Sequence, residues 1–433
     1  MFYWKIDIRT FLSFLATGVL GILLTLVLFE PGLEYRIEAP VLSADDPAFL
    51  KLLSSMIDKP FRHIQTIDVL RDGVEFYPAE LDAICGAKSS INLEAFIFHD
   101  TPIGKRFVNA LTERARAGVK VRVIVDAVGS FPTSDRFFSD LRAAGGKVMW
   151  YQPFRWATLK RLNNRTHREL LIVDGSQAFI GGAGIGSAWD TGTTPSPPWR
   201  DTVVRFEGAA VAGLETVFVE NWLESSGEIL VEKAPVRLLD VENTSSQPTD
   251  SGGFVVGSTP IGGRATRAHI LLQVLIAAAR KNIRINSPYF LPDRALRREL
   301  LAAVARGVHV TVIVPGSFNN HPLTRYASRR HYGQLIAGGV QIYEYQPGMI
   351  HAKILLIDAV WSVVGSTNFD TRSLGLNDEV NLAVKDADLN RRLAGNFAKD
   401  LADSQLVQLA QWKRRPWSER VLGMLSSFFE REE

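Results

Sequence analysis

Two stretches of this chain carry matching residues at matching spacing, and this repetition limits the possible folds more than any other feature. His351 and Lys353 lead into the apolar run 354–357, then Asp358, then Gly365, Ser366, Thr367 and Asn368. Upstream, His167 and Glu169 lead into the apolar run 170–173, then Asp174, then Gly181, Gly182, Ala183 and Gly184. In both copies the histidine stands seven residues before the aspartate and fourteen before the first glycine, and 184 residues separate the two histidines. A lone His-x-Lys is weak, since it also describes the half-exposed start of a buried strand. Duplication of the whole spacing favours a functional reading. Side chains at i and i+2 of an extended chain share a face, so His351 and Lys353 point into one space. Two histidines in matched settings suit one shared site, where one attacks and the other handles protons.

The surrounding pattern repeats as well. In the first half, helical periodicity over 76–87, a strand over 91–98, a helix over 104–117 closed by Gly118, and an alternating strand over 119–125 follow one another. A helix over 134–144 and a strand over 148–151 complete the half. The second half replays the order with helices over 268–281, 295–306 and 326–337 and strands over 283–286, 308–314 and 340–345. Residues 116–125 and 305–314 match closely, ending in Val123, Ile124 and Val125 and in Val312, Ile313 and Val314. Alternating strands and helices predict an α/β sandwich built twice. The expected units are a first repeat over 61–242, a flexible polar linker over 243–253 and a second repeat over 254–433.

The N-terminus points to a membrane. Residues 11–29 contain no charge and are long enough to cross a bilayer as a helix. Lys5 and Arg9 precede this run and Glu30, Glu34 and Glu38 follow it. That asymmetry predicts a cytoplasmic tail over 1–10, a single-pass anchor over 11–29, a connector over 30–60 and an extracytoplasmic remainder in the cell (inner) membrane. A cleaved signal peptide is the competing reading. The C-terminal stretch from Trp412, with Lys413, Arg414, Arg415 and Trp417, suits either an interfacial amphipathic segment or a helix docked on the core.

In its 433 residues the chain has 46% hydrophobic and 22% charged side chains, which excludes a disordered protein. The net charge of +3 gives no reason to expect nucleic acid. The single cysteine, Cys85, excludes an intramolecular disulfide and a thiolate cluster, and its apolar surroundings suggest a small core residue. His63, His99, His269, His309, His321 and His331 are scattered, without metal-ligand spacing. Basic residues Arg155, Lys160, Arg161 and Arg165 before the first motif could hold phosphates or form a solvated face.

With these residues in view, the chain resembles the phospholipase D superfamily and, within it, the bacterial cardiolipin synthases. The resemblance runs from about Arg71 to the C-terminus. It rests on the complete second motif, the stretch Ser373 to Glu379, the segment Ser287, Pro288, Tyr289 and Phe290, and Trp199, Arg200 and Asp201. It implies two repeats about a pseudo-twofold axis, with both histidines in one cleft, and a two-step phosphoryl transfer through a phosphohistidine. No cofactor or metal is implied. The implied substrate is an anionic phospholipid, phosphatidylglycerol, with either an alcohol or water as acceptor. The implied catalytic set is His167, His351, Lys353, Asp174 and Asp358, supported by Asn368, Ser366, Glu379 and Asp201. By family position Glu379 would orient His351 and Asp201 would orient His167, while Asp174 and Asp358 are also open to a structural role.

The first motif departs from the family in two places: Glu169 where lysine is expected and Gly184 where asparagine is expected. Exchanging attraction for repulsion about 4 Å from a phosphate would cost up to about 8 kcal/mol at an effective dielectric near 20. Glu169 escapes that cost if it is protonated, neutralised by Arg165 or turned away. Otherwise the chain is a weakened or inactive lipid-binding relative.

Overall fold

The computed structural model describes residues 7–28, 35–38, 41–154, 156, 161, 163–193, 196–230, 251–260 and 266–426. Arg155, Lys160 and positions 243–250 of the expected linker lie outside them.

Each half builds one mixed sheet, and seven strands of the two sheets follow the same order. In the first sheet the order is Thr66–Arg71, Thr202–Glu207, Gln177–Gly181, Leu170–Val173, Ser90–Ala95, Lys120–Asp126 and Lys147–Tyr151. In the second it is Gly252–Ser258, Glu379–Lys385, Trp361–Gly365, Ile354–Ile357, Asn282–Asn286, His309–Pro315 and Gln341–Tyr345. Two short edge strands, Arg62–His63 and Ser404–Leu406, extend the second sheet. The duplication read from the sequence is thus present in topology.

The sheets pack face to face. Along Leu170–Val173, Leu170 and Ile172 enter the core between the sheets, while Leu171 and Val173 enter the core under the first repeat's helices. Ile354 and Leu356 share that central core, and Leu355 and Ile357 face the second repeat's helices. Both faces of these strands are covered, which is why each motif is followed by an unbroken apolar run rather than by alternation. The helices Val211–Ser226 and Ala387–Ala402 also send Phe218, Trp222, Leu389 and Leu393 into the shared core.

The expected boundaries need correction. The segment read as a connector forms the helix Pro47–Ile57, capped by Asp46 through a 2.7 Å bond from the Ala48 N–H. Its Phe49, Leu53 and Ile57 pack with Phe254, Leu271 and Trp361 in the second repeat's core. Arg62 and His63 then pair with Gly253 and Gly252 before the chain enters the first sheet. The helix expected over 134–144 is a 3-10 turn, Asp135–Phe138, followed by the short helix Ser139–Ala143. Cys85 is exposed rather than in the core.

The N-terminal helix runs Ile8–Leu28, but its described side chains end at Gly21. Among the described residues no helix is long and apolar enough to cross a membrane, so the spanning anchor expected over 11–29 is not found there; Phe29 lies outside the described residues. At the other end, the helix Trp417–Ser426 docks on the helix Pro322–Ala337. Arg329 pairs with Glu419 at 2.7 Å, and the Trp412 Nε1–H donates to the Arg329 carbonyl at 2.6 Å. Of the two readings of this terminus, the docked helix is the one observed, with Trp417 left exposed.

Candidate active site

The two motif histidines sit just ahead of their strands, in extended backbone, where the two halves exchange main-chain bonds. The His167 N–H donates to the Asp378 carbonyl at 2.9 Å and the Asp378 N–H to the Arg165 carbonyl at 2.9 Å. Symmetrically, the His351 N–H donates to the Arg200 carbonyl at 2.7 Å and the Arg200 N–H to the Met349 carbonyl at 2.9 Å. Each histidine is therefore pinned beside the carboxylate that opens the next element of the other half.

The side chains follow the backbone. His167 Nδ1 lies 3.0 Å from Glu379 Oε1, and His351 Nδ1 lies 2.9 Å from Asp201 Oδ2. This corrects the pairing expected by family position: Glu379 serves His167 and Asp201 serves His351. A carboxylate only accepts, so each ring carries its proton on Nδ1 and leaves Nε2 for chemistry. Glu379 is held by the Ser366 hydroxyl, which donates to Oε2. At the matching place in the first repeat stands Gly182, which has no hydroxyl, and Asp201 is held instead by the Trp189 Nε1–H at 3.0 Å and the Thr202 N–H at 2.8 Å.

Lys353 is buried, and its Nζ donates to the His351 carbonyl at 2.8 Å while lying against the His351 ring, 2.7 Å from Nδ1 and 3.1 Å from Nε2. It reaches across into the first repeat: a Cβ on Gly182 would stand 2.8 Å from Nζ and 2.6 Å from Cδ. Burial, then the Lys353 charge, push the His351 imidazolium down to about 4, with Asp201 opposing. Burial lowers Lys353 to about 8 against the pull of Asp201 and Glu379. Burial alone would raise Asp201, but the His351 hydrogen bond and the Lys353 charge hold it below the usual carboxylate range. At neutral pH His351 is a neutral imidazole beside an ammonium.

Both histidines open on a cleft of about 530 Å³. Trp189 and Trp199 pack on His351 with ring centroids 5.3 and 5.2 Å away, and Phe96 packs on His167 at 5.2 Å. Asn368 lines the cleft with its Oδ1 buried and without a hydrogen-bond partner among the described residues, a polar group left for something that enters. Tyr289, Asp370, Arg372, Asn377 and His321 also line it. The sequence did not single these out as site residues, although Tyr289 and Asn377 lie inside segments that carried the resemblance. Among the described residues no group of three His, Cys, Asp or Glu is placed to hold a metal ion.

Asp174 and Asp358 are not brought to this cleft. They sit beyond the far ends of their strands, about 13 Å of extended chain from the histidine ends. Asp174 accepts from the N–H groups of Lys88, Ser89 and Ser90, and Asp358 from those of Arg280, Lys281 and Asn282. They tie the turn after the motif strand to the start of the neighbouring strand, and their expected catalytic part is corrected to a structural one. Both adopt φ near 53°, a left-handed conformation that aspartate tolerates better than most residues.

Glu169 does face the cleft. It does not pair with Arg165, which approaches Asp126 at 3.6 Å and donates to the Gln152 carbonyl at 3.0 Å. Instead Glu169 Oε1 accepts from the N–H groups of Phe96 at 3.2 Å and Ile97 at 3.4 Å. Burial raises its carboxyl well above the ordinary range, against those hydrogen bonds and Lys353. The second departure is coupled to the first, because a Cβ at Gly184 would come within 2.8 Å of Ile97 Cβ and 3.1 Å of Glu169 Oε1.

The family model described as "Cardiolipin synthase, PLD-like domain" matches residues 81–189 and 272–401. This chain belongs to that family. It is 32% identical to "Probable cardiolipin synthase YwiE" of Bacillus subtilis over 84% of this chain and 71% of that protein. It is equally 32% identical to "Cardiolipin synthase 2" of Bacillus anthracis, over 82% and 68%. Among solved structures, the phosphatidylserine synthase of Haemophilus influenzae superposes with a TM-score of 0.70 over 89% of this chain and all of that one, at 13% identity, a likeness of fold.

Proposed function

We propose that the chain is a phospholipase D-type phosphatidyltransferase that joins two phosphatidylglycerols into cardiolipin and releases glycerol. The observation that carries this reading is the pair of histidines on one cleft, each oriented by a carboxylate of the other repeat. The family membership and the names of the relatives support it. In the first step Nε2 of one histidine attacks the phosphorus of the first lipid. The P–N bond forms as the P–O bond to the glycerol headgroup breaks, and the other histidine gives its proton to the departing oxygen. In the second step that histidine takes the proton from a headgroup hydroxyl of the second lipid. This oxygen attacks phosphorus, and the P–N bond breaks. The Lys353 ammonium and the N–H groups of the Asn368 amide hold the non-bridging oxygens as charge builds on them.

The enzyme works at a membrane, carried there by its N-terminal helix. Phe11, Leu12, Phe14 and Leu15 of that helix are exposed, as a lipid-facing helix requires. The proposed arrangement is a single pass with the repeats outside the cytoplasm, in keeping with the charges around residues 11–29. Fusion reporters after Glu433 test it: an active alkaline phosphatase supports this orientation, and a fluorescent cytoplasmic reporter overturns it.

Purified protein supplied with phosphatidylglycerol in detergent micelles tests the reaction. Cardiolipin with free glycerol is the expected product. Phosphatidic acid would make the protein a hydrolase, cleaved single-stranded DNA in a parallel digest would make it a nuclease, and no turnover would leave a lipid-binding relative.

A further inference from the structure

The geometry points to Glu169 as a neutral hydrogen-bond donor to a phosphoryl oxygen, standing where the family pattern has a cation; this rests on the phosphoryl-transfer reading of the cleft. Glu169 stands two residues after His167 and lines the same cleft as His351 and Asn368. Its Oε1 is already used, accepting two peptide N–H groups. Its Oε2 takes no hydrogen bond from the described residues. A carboxyl held this way keeps its acceptor oxygen on the peptide groups and carries its proton, when neutral, on the other oxygen. Oε2–H is then a donor with no partner of its own.

The charges around the cleft require the neutral form when an anion enters. Lys353 is a buried ammonium already flanked by the Asp201 and Glu379 carboxylates, each hydrogen-bonded to a histidine. A phosphodiester adds a further negative charge. An ionised Glu169 about 4 Å away would oppose it by roughly 4 kcal/mol at an effective dielectric near 20. Binding therefore selects the protonated carboxyl, and a repulsive residue becomes a donor. The titratable groups near Glu169 are Lys353 from the second repeat and Tyr77 and Glu80 from the helix Gly73–Gly86, while His167 and Arg165 of its own segment line the same cleft. Burial raises both Tyr77 and Glu80, and Lys353 is the neighbouring charge that favours an ionised Glu169, with Arg165 and Arg372 elsewhere on the cleft. Gly184 belongs to the same device, because any side chain there would displace Ile97 or the Glu169 carboxyl.

Two measurements on the full-length protein test this. Infrared difference spectra between the wild type and Glu169→Gln at neutral pH, each with inorganic phosphate bound, are expected to show the carbonyl band of one neutral carboxylic acid, absent from the variant. Calorimetry with inorganic phosphate compares Glu169→Gln, which keeps a neutral donor, with Glu169→Ala, which has none. Glu169→Ala is expected to bind phosphate about tenfold to a hundredfold more weakly than Glu169→Gln, the range for one hydrogen bond to a charged group. The ratio of wild-type to Glu169→Gln affinity should fall as pH rises, because Lys353 and phosphate titrate in both proteins and cancel. A missing band, equal binding by the two variants, or no phosphate binding by the wild type overturns the proposal. If Glu169→Ala fails to fold, the band and the pH ratio still decide it. Neither measurement needs lipid turnover, so a protein that makes no cardiolipin yet passes both defeats the transferase reading alone.

Discussion

His351 Nδ1 lies 2.9 Å from Asp201 Oδ2, although the two residues belong to different repeats and stand 150 positions apart. The reciprocal pair, His167 with Glu379, spans 212 positions. Neither repeat therefore holds a complete histidine–carboxylate unit, and the site exists only where the two halves meet.

That crossing is open to direct test. Asp201→Asn should disturb the tautomer and nitrogen chemical shifts of His351 while leaving those of His167 in place, and Glu379→Gln should do the reverse. Nitrogen NMR of histidine-labelled protein reads both. Each variant should lose on the order of a thousandfold or more in turnover, since the wrong tautomer points its lone pair at the wrong partner. Shifts that move at the opposite histidine would restore the within-repeat pairing.

His351 should remain neutral far into the acid range. Its ionisation is lowered to about 4 by burial and then by Lys353, against about 6.5 in the unfolded chain. Between those values the unfolded state binds more protons, so His351's contribution makes folding less favourable as pH falls from about 6.5 toward 4. Lys353→Met removes the second cause, and the His351 titration midpoint should move up. A midpoint that stays fixed in NMR titration would place the ammonium too far from the ring to matter.

A methyl group at Gly182 is a sharp probe of the lysine. Gly182→Ala would put Cβ within 2.8 Å of Lys353 Nζ and 2.6 Å of Cδ, both toward the free end of a flexible side chain. The fold should absorb this at about 1 kcal/mol, near the low end for overpacking. Turnover should fall at least about tenfold, the equivalent of roughly 1.4 kcal/mol in the transition state, because the displaced ammonium no longer meets phosphate. Thermal melting and lipid transfer measured together separate these effects, and a variant with unchanged turnover would show that Lys353 has another place to act from.

Asp174→Ala should cost stability rather than chemistry. It removes a carboxylate that accepts from three successive N–H groups, Lys88 to Ser90, for a loss of about 3 kcal/mol. Burial alone would raise this carboxyl, but the backbone bonds hold it below the ordinary value. Its contribution is therefore fully present above the unfolded value near 3.9 and is lost as pH falls through the folded one. A melt should show the deficit at neutral pH and a shrinking difference from wild type in acid. Loss of turnover in folded Asp174→Ala would return the residue to the mechanism.

The sequence by itself determined the duplication, the alternation of strands and helices, and that His167, Glu169, His351 and Asn368 belong together, as their shared cleft bears out in position. Each of these is written in local spacing: the alternation along 119–125 and 308–314, the glycines that close helices, and the repeated interval from histidine to glycine. Tertiary structure decided what spacing cannot express. Residues 47–57 carry an apolar stripe at 49, 53 and 57, but nothing in that stripe says that the helix completes the core of the distant second repeat. Asp174 and Asp358 repeat as faithfully as the histidines, yet hold turns at the far strand ends, since a repeated interval does not say which end of a strand faces the cleft. The partner of each histidine was set by the backbone bonds between 165–167 and 378 and between 349–351 and 200, which form only when the two sheets pack. The fate of Glu169 depended likewise on the peptide groups of Phe96 and Ile97, brought to it from a separate strand end. Local order follows from neighbours in the chain, whereas the ionisation and pairing of a buried group follow from neighbours in space.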